Sequence, residues 1–207
     1  MSDVRTIRFY RRKLPHWEVI NGRYFVTMTL EGAVPDHVAR YIRRMREKLD
    51  HMNPSDRVRN RRRIFRLMEA WLHRKPRIDY LTRSEIASMV MEAIRFRQKR
   101  GDWNVEEYAL MPNHGHLFVT PRHGELTRVL HGFRQWTGHQ ACKILGLENH
   151  PFWGADWFDC WSRSPTDDRR IIEYIRQNPV KGGLATNYRD YPYGSWADPL
   201  LIRKKPD

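Results

Sequence analysis

In Met111-Pro-Asn-His-Gly-His-Leu-Phe-Val-Thr-Pro121, two histidines, His114 and His116, stand one residue apart at the entrance to a strand. Pro112 and Asn113 punctuate the chain ahead of them, and Leu117 to Thr120 has the apolar, β-branched composition of a strand leaving a turn. Alternate strand residues share a face, so the two imidazoles project side by side and can grip one metal ion. A solvated strand face carries the same pair with no metal, and two ligands do not make a site. A third ligand is required.

The best candidate lies some way on, in Arg170-Ile-Ile-Glu-Tyr-Ile-Arg-Gln-Asn-Pro-Val-Lys-Gly-Gly-Leu184. Tyr174 and Asn178 are four apart on a helix that Pro179 is expected to stop, so a hydroxyl and an amide oxygen leave from one face. Thr166 is the expected N-cap of this helix, with Asp167 and Asp168 in its first turn.

Tyr24 to Leu30 alternates large apolar residues with threonine, the pattern of a strand with one buried face. Residues 37–50 and 57–74 show helical spacing with a dense basic face, separated by a turn at Asn53-Pro-Ser. A helix is expected from Ser84, capped by that serine, with Ile86, Met89, Val90, Ala93 and Ile94 as its apolar stripe. Trp103 to Leu110 and His114 to Thr120 form a hairpin, and Glu125 to Leu145 a helix closed by Gly146. Phe152 to Trp161 is a further strand whose aromatics belong to the core. The order strand, helix, strand, strand, helix, strand fits a ferredoxin-like α+β fold: an antiparallel sheet packed by helices, with a basic helical pair inserted over 37–75 and the tyrosine helix appended. One domain over 1–207 is expected from the length.

A formal charge of +14 and a pI near 10.2 point to nucleic acid as partner. A membrane surface is the rival, but no apolar run approaches the ~20 residues needed to cross a bilayer, and no signal-peptide core is present. The cytosol is the expected compartment. Cys142 and Cys160 are too few for a disulfide framework. Arg5, Arg8, Arg11 and Arg12 interleave with aromatics in a basic arm suited to a single strand. Arg59, Arg62 and Arg63 belong to the densest charge in the chain, with hardly an acid to offset it, and Arg134 adds a cation on the helix after the hairpin. Each is a candidate phosphate contact.

The segment from Met111 to Leu117 followed by Tyr174-Ile-Arg-Gln-Asn-Pro-Val-Lys-Gly-Gly-Leu184 resembles the single-tyrosine HUH transposases, most closely the REP-associated tyrosine transposases. Leu14-Pro-His-Trp, Tyr24-Phe-Val-Thr-Met-Thr-Leu30, Phe152-Trp153, Trp157-Phe158-Asp159 and Tyr191-Pro-Tyr-Gly-Ser-Trp196 extend the resemblance over nearly the whole chain. Gly115 departs from it, standing where the family usually carries a bulky apolar residue that faces away from the metal.

The resemblance implies the same fold with the histidines on a central strand, Mg2+ or Mn2+ held by His114, His116 and Asn178, and Tyr174 as nucleophile. The substrate would be a bacterial extragenic palindrome, a DNA hairpin with a flanking single strand, so the protein would be nucleoid-associated. Cleavage would leave a 5′-phosphotyrosine, and rejoining would need no ATP. The donor set also tolerates zinc, cobalt or nickel. A complete site in one chain permits a monomer and leaves a dimer open. Two other classes stay open: a binding protein without chemistry on the same fold, and a metal-dependent nuclease that uses activated water.

Overall fold

The computed structural model describes residues 6–11, 15–19, 21–122 and 126–198. A four-stranded sheet is built from β3 (Tyr24–Leu30), β4 (Trp103–Met111), β5 (His114–Pro121) and β6 (Trp153–Trp161). Its order is β4-β5-β3-β6, with every neighbouring pair antiparallel. That order, with α3 (Ser84–Arg100) between β3 and β4 and α4 (Leu126–Leu145) between β5 and β6, is the ferredoxin-like arrangement expected from sequence. β5 is a central strand. A separate ribbon pairs β1 (Thr6–Arg11) with β2 (Pro15–Val19), and the helical pair α1 (Asp36–Glu47) and α2 (Pro54–Leu72) lies between β3 and α3.

The pleat divides the sheet into two unlike faces. On one, Tyr24, Val26 and Met28 of β3 and Leu117 and Val119 of β5 join Ile86, Val90 and Ile94 of α3 and Leu130 and Phe133 of α4. Ile64, Met68 and Leu72 enter the same core from α2 at steps of four, one stripe of that helix. On the other face Phe25, Ala109 and Phe118 meet Ile175 of α5 (Pro165–Lys181), and Phe65, Phe158 and Tyr174 pack around them. The aromatics Phe152, Trp153 and Trp157 are buried, as a core role requires.

Several helix ends differ from expectation, among them the start of α2, which takes in Pro54 and Ser55 of the expected turn behind an Asn53 cap. The cap of α5 is Ser164, whose Oγ accepts from the Asp167 amide at 3.1 Å; Pro165 after it needs no partner for its nitrogen, which places the start two residues ahead of Thr166. Pro179 does not stop α5. It lies in the last turn, where its missing N–H removes a single bond, and the helix runs on to Lys181 before Gly183, at φ 67°, turns the chain. Ser84 is the first residue of α3 and Arg83 takes the cap position, with no side-chain cap bond.

The closing stretch docks on β4: Leu110 donates its amide to the Tyr193 carbonyl at 2.8 Å, and the Tyr191 hydroxyl donates to the Leu110 carbonyl at 2.7 Å. A Cβ on Gly194 would overlap the Trp196 ring, so any larger residue would force that side chain to shift. Among the described residues no helix is long and apolar enough to cross a membrane.

Candidate active site

His114 and His116 project from β5 toward the α5 face and are fully buried, with their Nε2 atoms 3.1 Å apart. Their other nitrogens are held. The Asn113 Oδ1 accepts from His114 Nδ1 at 2.6 Å, and the Asn113 Nδ2 donates to the Leu72 carbonyl at 3.1 Å, which fixes the amide and leaves His114 Nε2 a bare lone pair. His116 Nδ1 lies 2.9 Å from Thr27 Oγ1, a hydroxyl that can either donate or accept. Burial, reinforced for His114 by His116 and then by His73, pushes that imidazole well below its ordinary range. Burial and then His73 push His116 down to about 3, against a hydrogen bond to the Asn178 side chain. Both shifts favour the neutral imidazole, the form a metal ligand requires.

α5 brings Tyr174 and Asn178 to the pair. The Tyr174 ring centroid is 5.5 Å from that of His116, and Asn178 is fully buried. The phenol comes within a ring's breadth of the histidines rather than across the molecule. Lys181 stands over it, with Nζ 5.3 Å from the ring centroid.

Two residues that sequence reasoning did not place here arrive from α2. The Tyr174 hydroxyl donates to Glu69 Oε2, and His73 Nε2 lies 2.9 Å from Asn178 Oδ1. Glu69 Oε2 is 3.8 Å from His116 Nε2 and 3.7 Å from His73 Nε2. Ligand atoms of Glu69, His114 and His116 all lie within 4.8 Å of one another. Burial raises the Glu69 carboxyl to about 7, opposed by the Tyr174 hydrogen bond and by Lys181. Burial, the Glu69 charge and the hydrogen bond to it together hold the phenol far above the usual tyrosine range. The sequence did carry a signal: Glu69 is the sole acid between Asp56 and Asp79, four residues before His73 and beside the buried stripe at 64, 68 and 72.

The donor set fits a divalent cation. Glu69 Oε1 is buried with no hydrogen-bond partner among the described residues, on a carboxylate whose other oxygen is 3.8 Å from an imidazole nitrogen. An unsatisfied anionic oxygen beside two converging imidazole nitrogens is the chemistry of a cation site.

The candidate phosphate contacts divide. Arg62 and Arg63 are exposed on α2, and Arg59 is exposed but paired with Asp56 at 2.6 Å. Arg134 is tied into the fold, donating to the Gly154 carbonyl and lying 5.2 Å over the Trp157 ring. Arg5 and Arg12 lie outside the described residues, and Arg8 and Arg11 are described in backbone only, within β1. Gly115 faces the α3 and α4 side, where a Cβ would meet Leu110 Cδ2 at 3.2 Å.

Fold and site together define a ferredoxin-like domain that presents paired histidines and a helical tyrosine on one sheet face. No family model matches the chain, and no curated protein matches it. Among solved structures it is similar to a REP-associated tyrosine transposase bound to a REP hairpin, with a TM-score of 0.56, 17% identity, and coverage of 97% of this chain and 94% of that one. At that identity the likeness shows the shared fold.

Proposed function

We propose that this chain is a REP-associated tyrosine transposase of the HUH single-tyrosine class, one domain over 1–207 that nicks and joins single-stranded DNA at or near palindromic hairpins. The observation that carries it is convergence: β5 and α5, far apart in sequence, deliver two imidazoles, a phenol and an amide to one point, with His116 and Tyr174 ring centroids 5.5 Å apart. The solved structure of similar fold holds a REP hairpin, which supports the same class of partner here.

His114, His116, the Asn178 amide oxygen and a Glu69 oxygen would hold Mg2+ or Mn2+, two nitrogens and two oxygens suited to that class of ion. When bound, the ion supplies Lewis acidity to a phosphate oxygen and so stabilises charge in the in-line transition state. The Tyr174 oxygen attacks phosphorus while its proton passes to Glu69 Oε2, which already accepts the hydroxyl. The new phosphotyrosine bond forms as the bond to the 3′ oxygen breaks, and that oxygen leaves as a 3′-hydroxyl after gaining a proton from solvent. Attack by a second strand's 3′-hydroxyl reverses the step and returns the proton to the phenol. Lys181, over the phenol ring, adds positive charge where the phosphate must approach. Arg59, Arg62 and Arg63 on α2 offer charge to the backbone, and Arg134 on α4 supports β6 through the Gly154 carbonyl. All of these side chains belong to one chain, so a monomer is sufficient; a nucleoid-bound cytosolic protein is the corresponding location.

Incubation with hairpin DNA and Mn2+, followed by a denaturing gel, tests this reading. A protein–DNA adduct should survive denaturation and vanish in Tyr174→Phe. Cutting by Tyr174→Phe without an adduct would replace the tyrosine mechanism with hydrolysis by water, and binding with no cutting by either protein would leave a DNA-binding protein alone.

A further inference from the structure

The two ends of an asparagine amide differ in chemistry: the oxygen attracts a cation and the NH2 group repels one. Asn178 therefore serves an ion site only if its amide is held one way round. In the structure Asn178 Nδ2 donates to the Tyr174 carbonyl at 2.8 Å, while Oδ1 lies 2.9 Å from His73 Nε2. The reversed amide would set an oxygen against a carbonyl oxygen. With Oδ1 facing it, His73 must present an Nε2–H, because an amide oxygen only accepts. The same nitrogen is 3.7 Å from Glu69 Oε2, so His73 stands between the carboxylate and the amide.

The placement has a regular basis. Glu69 and His73 are four apart on α2, Tyr174 and Asn178 four apart on α5, and each residue of one pair meets one of the other. His73 takes the C-cap position of α2, with its amide donating to the Glu69 carbonyl at 3.0 Å, so its backbone is fixed by the helix end. The ring is partly exposed, at 23%, whereas the amide it holds is fully buried. The Tyr174 carbonyl takes the NH2 group and His116 shares the oxygen with the ion site, so His73 is the contact that holds the oxygen end when an ion takes the imidazole.

We infer that His73 is a positioning residue, whose Nε2–H fixes the Asn178 amide with its oxygen available to the ion. This rests on the reading of Asn178 as an oxygen ligand. It gives the helical insert a part in the chemistry through a residue that acts on a neighbouring side chain.

The test compares His73→Gln, which keeps an N–H donor at similar reach, with His73→Leu and His73→Met, which keep bulk and lose the donor. Mn2+ affinity by calorimetry should fall about 10- to 100-fold in the two apolar variants and stay near wild type in His73→Gln. The rate of adduct formation at saturating hairpin DNA should follow the Mn2+ affinity, while the half-saturating DNA concentration stays constant. In metal-free protein the Asn178 side-chain amide protons should exchange slowly in wild type and His73→Gln, and fast in His73→Leu and His73→Met. Equal behaviour of Gln and the apolar variants, or a faster reaction in the apolar ones, overturns the inference. Should the wild type form no adduct while the affinity and exchange differences hold, the tyrosine chemistry fails and the positioning role stands.

Discussion

The two faces of β5 follow opposite rules. Leu117 and Val119 point into an apolar core shared with α3 and α4, where burial is its own reward and each residue is replaceable by another of like volume. One residue along, His114 and His116 are just as deeply buried, yet each survives there only because Asn113 or Thr27 holds its second nitrogen. The first face sets stability; the second spends some of it on a site.

That contrast can be broken in graded ways. Leu117→Ala should cost ~2–5 kcal/mol of unfolding free energy by urea titration and leave Mn2+ affinity unchanged once folded. A comparable loss of affinity would mean that the two faces are not independent. Glu69→Gln addresses the cost of the polar face. A carboxyl raised from 4.5 to about 7 keeps its proton in the folded state after the unfolded chain has lost it, so stability falls as pH rises between those values. In EDTA the mutant should therefore gain on wild type by ~3 kcal/mol between pH 4.5 and 8, and excess Mn2+ should flatten the wild-type curve. Parallel curves in EDTA would show that Glu69 pays no such penalty.

Thr27→Val removes the partner of His116 Nδ1 and should weaken Mn2+ binding by ~10- to 100-fold, with Thr27→Ser close to wild type. The smallest effect belongs to Gly115→Ala, which adds a methyl on the core face opposite the two histidines. Its Cβ at 3.2 Å meets the far end of the Leu110 side chain, which can give way, so stability should change by less than ~1 kcal/mol and Mn2+ affinity not at all. A loss of affinity would show that the ligands feel the packing behind them.

Much of the framework was legible in the sequence because it is written in short periods. Alternation gave β3, although both of its faces are buried, apolar β-branched composition after a turn gave β5, helical spacing gave α3 and α4, and the order of elements gave the sheet. The histidine pair and the Tyr174–Asn178 spacing were legible for the same reason. Glu69 and His73 were not, since each meets its partner across 105 residues, and an arginine-rich helix reads as a charged surface until its docking is known. Asn113 looked like a turn former and nothing more. Its side chain turns out to be buried, with bonds to the end of α2 and to His114.

That one amide has a kinetic consequence. The Leu72 carbonyl belongs to the last turn of α2, where helices leave their acceptors unfilled, and Asn113 fills it while steering the first histidine. The β4–β5 hairpin can zip up early from local contacts, but its imidazole stays unaimed until the helical arm arrives. Competence to hold an ion should thus be among the last properties gained on refolding, lagging the sheet's own hydrogen-exchange protection.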